Sequence, residues 1–110
     1  MQILNRSAIT IIPKQPFVDW INRLAPTCPL EVNMLGETST YLANENFDNA
    51  GDVIKKHYKA IFENELWAMW TDEDDWPNPL TFKLFNEWFN YEVSGFVYDI
   101  LKKDISRSPI

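Results

Sequence analysis

Residues Pro79–Leu101, PLTFKLFNEWFNYEVSGFVYDIL, constrain this chain more than any other segment. They hold Phe82, Phe85, Trp88, Phe89, Tyr91, Phe96 and Tyr98, and Trp76 lies just ahead of them. Together these are half of the chain's aromatic residues. Phe82, Phe85, Trp88 and Phe89 recur every three or four positions, which is the spacing of one helix face. From Tyr91 the apolar residues fall at steps of two, Tyr91 and Val93, then Phe96, Tyr98 and Ile100, which is strand spacing. Their parity changes at Ser94–Gly95, and an extra residue there, a β-bulge, is the expected device. The segment therefore predicts a short aromatic helix feeding a late strand, Tyr91–Leu101.

At 110 residues the chain is expected to form a single domain spanning 1–110. A chain of this length buries roughly two thirds of its unfolded surface, enough for one core. Aromatics make up 15% of the residues, and each large side chain contributes on the order of 2 kcal/mol when buried, so they dominate the expected core. The net charge of −6 disfavours phosphate backbones and anionic membranes as partners. The single cysteine, Cys28, rules out an intrachain disulfide and fits a reducing compartment. Ala8–Ile12 is too short for the apolar core of a signal peptide, and no window reaches the length of a membrane span. A cytoplasmic setting is expected.

Taken in order, Ser7–Ile12 (SAITII) predicts a first strand, nearly all apolar and so expected to be central and buried on both faces. Pro16 suits the first turn of a helix whose face is Phe17, Trp20, Ile21 and Leu24, ended by Pro26. Pro26–Gly36 reads as an irregular connection, Thr38–Leu42 as a second strand, and Ala43–Gly51 as a loop. Asp52 fits a helix cap or first turn, followed by about five turns of helix from Val53 to Trp70. Thr71–Pro79 (TDEDDWPNP) stops that helix with four acids and two prolines, and Thr81 caps the next. Residues 102–110 are expected to fray. The order β-α-β-α-α-β predicts an α+β domain: a three-stranded, mainly antiparallel sheet with helices packed on one face.

The segments PKQPFVDW (Pro13–Trp20), YL (Tyr41–Leu42), TDEDDWP (Thr71–Pro77) and FNEWFNYEVSGFVYDI (Phe85–Ile100) together resemble a family of small bacterial proteins with no assigned function. The late aromatic pattern carries most of that resemblance. Where the family carries a histidine ahead of the late apolar run, this chain has Ser94–Gly95. The resemblance implies a bacterial source and a cytosolic setting, and it implies no chemistry.

Candidate chemistry is sparse. Asp72, Asp74 and Asp75 could offer carboxylate oxygens to a hard cation, but the calcium-loop pattern has Pro77 at its glycine and Lys83 at its final glutamate. A solvated acidic turn is the plainer reading. His57 is the sole histidine and falls at the edge of an apolar stripe. Cys28 as a nucleophile would have only His57 as its base. Glu92 and Asp99 fall in the late strand, where a buried acid needs a partner, and Arg6, Lys14 and Arg23 are the candidates for Asp99. Trp76 and Pro77 either cap the core beneath their loop or anchor a partner. Gly-rich phosphate loops, zinc spacings and serine triads are absent from the sequence.

These features favour a small protein-interaction or ligand-binding module, without a cofactor, that meets a protein partner or a second copy of itself. The alternatives are a metal-assisted or acid–base hydrolase using Asp72, Asp74 or Asp75 with Glu92 or Asp99, and an acidic mimic of nucleic acid.

Overall fold

The computed structural model describes residues 1–26, 37–45 and 49–110. Among them the elements run β1 (Gln2–Ile3), β2 (Arg6–Pro13), α1 (Gln15–Leu24), β3 (Ser39–Asn44), α2 (Ala50–Met69), a 3-10 turn (Glu73–Asp75), α3 (Phe82–Trp88), β4 (Phe89–Ser94) and β5 (Tyr98–Asp99). The fold is α+β. A three-stranded antiparallel sheet in the order β3-β2-β4 carries the helices on one face, and β1 and β5 form a separate two-stranded ribbon.

β2 is the central strand, as its aliphatic run predicts, but it is not buried on both faces. Ser7, Ile9 and Ile11 are buried, whereas Ala8, Thr10 and Ile12 are half-buried. The reason lies in its neighbours: α1, α2 and α3 pack on one side. Tyr41 and Ala43 of β3 and Tyr91 and Val93 of β4 face the same core as Ile9 and Ile11. Thr40, Leu42, Asn90, Glu92 and Ser94 on the other face stay exposed.

β3 runs to Asn44, further than its own residues suggest, because Ala43 and Asn44 pair with Ser7 and Arg6 at the start of β2. α2 starts at Ala50, with Asn49 as its cap: the Asn49 side chain accepts from the Gly51 amide at 2.8 Å, while Asp52 occupies the first turn. Thr81 caps α3 as expected, its hydroxyl accepting from the Leu84 amide at 3.1 Å.

The change from helix to strand comes without a linker. α3 ends at Trp88, and Phe89 is already extended and paired with Pro13. Lys14 fixes this junction. Its backbone N–H donates to the Trp88 carbonyl at 2.8 Å and its ammonium to the Asn86 carbonyl at 2.8 Å. Both are carbonyls that the helix end leaves without an intrahelical partner, and a cation is favoured there.

The core is a packed set of rings. Phe62 of α2 meets Phe85, Trp88 and Phe89 at centroid distances of 5.7, 5.7 and 5.5 Å. Phe17 of α1 closes the other side against Phe89 at 5.1 Å. Tilted and edge-on ring pairs of this kind add to simple burial.

Candidate interaction surface

The acidic turn is tied down by indoles. Asp72 caps it by accepting from the Asp74 amide at 3.1 Å. Trp70 Nε1 donates to the Asp75 carboxylate at 3.0 Å, and Trp20 Nε1 donates to the Asp75 carbonyl, also at 3.0 Å. Trp76 packs on the core, half-buried, with its Nε1 donating to the Trp70 carbonyl at 2.7 Å. Pro77 is half-buried and, with Trp76, Leu80, Glu63 and Lys59, lines an open groove of about 380 Å³ between the loop and α2. The carboxyl groups of Asp72, Asp74 and Asp75 belong to exposed residues, and two of the three serve the turn itself.

The late-strand acids lie elsewhere. Glu92 is exposed on the helix-free face of the sheet, opposite Thr10. Asp99 belongs to the ribbon, and its carboxylate accepts from the Leu101 amide at 2.8 Å, closing a local turn rather than meeting a distant cation. The acidic loop packs on the helix side, so the sheet separates it from Glu92. Among the described residues no group of three or more His, Cys, Asp or Glu side chains is placed to hold a metal ion. The exposed side of α2 mixes Asp52 and Glu63 with Lys55, Lys56 and Lys59, unlike a phosphate-like row. His57 is half-buried between α2 and β3, and Cys28 lies outside the described residues.

The buried acid is Glu65, which the strand-based reading misses. It is only 8% exposed, and its carboxylate accepts from the Tyr41 hydroxyl and, at 3.4 Å, from Ser39. Asn64 Nδ2 donates to the same Tyr41 oxygen at 3.0 Å. Burial, reinforced by the Glu65 carboxylate, raises the Tyr41 phenol well above its ordinary value, with the Asn64 bond opposing the shift. A signal was present in the sequence: Glu65 falls four residues after Ile61, on the apolar stripe of α2.

The remaining feature is the ribbon. Ile3 pairs with Tyr98, Gln2 with Asp99, and the Leu4 amide donates to the Val97 carbonyl at 2.7 Å. Each strand of the ribbon pairs with the other and with no third strand among the described residues. Its register differs from that of the main sheet by one residue. Ala8 pairs with Ser94 and Ile3 with Tyr98, so the N-terminal strand spends one residue more between the two pairs. The extra residue thus lies on the N-terminal strand, between Ile3 and Ala8, and not at Ser94–Gly95.

Exposure consequently alternates without a break from Tyr91 to Ile100. Tyr91, Val93, Gly95, Val97 and Asp99 are half-buried, and Glu92, Ser94, Phe96, Tyr98 and Ile100 are exposed. The apolar pattern changes sides and the chain does not, which turns Tyr98 and Ile100 to solvent at 57% and 78% exposure. Ile3, across from Tyr98, shares its face, because directly opposed residues of paired strands project to one side.

No family model, curated protein or solved structure matches the chain.

The surface must be judged on its own chemistry. Exposed apolar residues scattered singly are ordinary, but a contiguous group marks an interaction site. The ribbon and the strandless residues after it concentrate Met1, Ile3, Tyr98, Ile100, Leu101 and Ile105, all more than half exposed. No helix among the described residues is long and apolar enough to cross a membrane.

Proposed function

We propose that this chain is a small protein-interaction module that docks through the β1–β5 ribbon. The observation that carries the reading is the reversal of the apolar pattern against an unreversed strand. A sequence needing only solubility at Tyr98 and Ile100 would place polar residues there, as it does at Glu92 and Ser94. A protein surface that covers the ribbon would bury these side chains and gain the hydrophobic contribution they forgo in water. The acidic turn, with Trp76 and Pro77 beside an open groove, is a second and smaller contact surface in the same reading. The setting that fits the acidic charge, the single cysteine and the resemblance above is the cytosol of a bacterium.

The test is a Tyr98→Ser/Ile100→Ser double variant. At a concentration where the parent is monomeric, the variant is expected to keep the circular-dichroism spectrum and cooperative melting of the parent while losing the fluorescence enhancement of a dye that binds exposed apolar surface. Loss of cooperative unfolding in the variant would show that the two residues serve the core and would overturn the proposal.

A further inference from the structure

We infer that the occupant of the ribbon face is a second copy of this chain, packed ribbon to ribbon about a twofold axis; this rests on the docking reading above. Area is the first argument. At their observed exposures Met1, Ile3, Tyr98, Ile100, Leu101 and Ile105 present on the order of 800 Å², about what each partner contributes to a stable interface of standard size. The ribbon end supplies that area by itself.

Self-complementarity is the second. In an isologous contact the same patch meets itself, so any charge at its centre would face a like charge across the axis. The face that holds Ile3, Tyr98 and Ile100 has none at its centre. Its surroundings hold both signs, Lys102, Lys103 and Arg107 with Asp104. A twofold axis can set the lysines of one copy against Asp104 of the other. The acidic remainder of the molecule, which would repel its own copy, lies outside this contact: residues 101–110 carry three bases and one acid, although the whole chain is at −6.

The third argument concerns the ribbon itself. Two short strands with no third strand beside them among the described residues are marginal in water. An identical ribbon packed on the apolar face supplies the missing layer in the way that one sheet covers another in a sandwich.

Sedimentation velocity and light scattering on the full chain across the micromolar range test the assignment. The expected result is a mass twice that of the protomer, falling to the protomer mass on dilution. Tyr98→Lys, which sets ammonium against ammonium near the axis, is expected to weaken the dimer by about a hundredfold or more while leaving the far-ultraviolet spectrum unchanged. Mixing equal amounts of Tyr98→Lys and Tyr98→Asp proteins is expected to restore a dimer that neither forms alone. Ile100→Lys, at a more exposed position, repeats the test if Tyr98→Lys does not fold. A parent protein that stays monomeric throughout, or a dimer untouched by these lysines, overturns the second-copy assignment. In that event the double serine variant still decides the docking reading: a folded variant without dye binding keeps it and points to a different protein, and an unfolded one removes both.

Discussion

The same two chain segments build two different structures. Between Ala8 and Pro13 on one, and Phe89 and Ser94 on the other, they pair beneath α1, α2 and α3 and their inward residues are sealed among aromatic rings. A few residues further along, at Gln2–Ile3 and Tyr98–Asp99, they pair again, and none of these residues joins the core that α1, α2 and α3 cover. Side chains of one chemical kind, aromatic and branched aliphatic, therefore do opposite things at the two ends. Phe89 and Ile9 are about 1% exposed and hold the domain together, whereas Tyr98 and Ile3 stand in water. The difference teaches that burial is conferred by the covering layer and not by the strand.

The contrast can be broken most directly by truncation. Phe85→Ala, in a fully buried ring cluster, is expected to lower the unfolding free energy by about 3–5 kcal/mol in urea titration. Tyr98→Ala, measured at a concentration where the protein is monomeric, is expected to change it by less than about 0.5 kcal/mol. Comparable losses at both positions would erase the distinction between a covered and an uncovered end.

A smaller effect sharpens the covered end. Tyr41→Phe deprives the buried Glu65 carboxylate of its nearer donor and leaves it Ser39, a cost of about 1–3 kcal/mol at neutral pH. The pH dependence follows from the direction of the Tyr41 shift. Its phenol is held above its unfolded value, so the folded state keeps the proton that the unfolded chain releases. That contribution is complete below about pH 10, the ordinary phenol value, and is lost as the pH rises above it. Stability of the parent protein is thus expected to fall more steeply than that of Tyr41→Phe above that pH, in denaturant titrations repeated at alkaline steps. Parallel curves would mean that Tyr41 is not masked.

The smallest loss expected at the covered end concerns the helix that hands over to β4. Thr81→Ala removes the hydroxyl that accepts from the Leu84 amide and is expected to cost about 1 kcal/mol, read as a lower urea midpoint with an unchanged slope. Amide exchange should quicken across α3 and not in the ribbon.

Much of this architecture could be read in advance. The twenty-residue helix α2 follows from an apolar repeat sustained over its length, and α3 from Thr81 and the spacing of Phe82, Phe85 and Trp88. The α+β class and the central place of β2 follow from the order of the segments and the aliphatic run at its start. The candidate acids fared differently. Asp72 and Asp75 are taken up by a turn whose indole donors come from Trp20 and Trp70, and Glu92 and Asp99 go to separate surfaces. The spacing of Glu65 from Ile61 put it on the buried stripe of α2, but the donors that satisfy it, Tyr41 and Ser39, lie more than twenty residues earlier and come to it only in the fold.

What the amino acids settled alone was local: where helices begin and stop, where the chain is extended, and which residues are greasy. Those outcomes depend on spacing, capping and proline, all of which act within a few residues. Tertiary structure decided which side of each strand meets the helices, where the extra residue falls in the ladder, and that Ile3, Tyr98 and Ile100 face outward. Register belongs to a pair of strands and cover to a third element, so neither is written in any one segment.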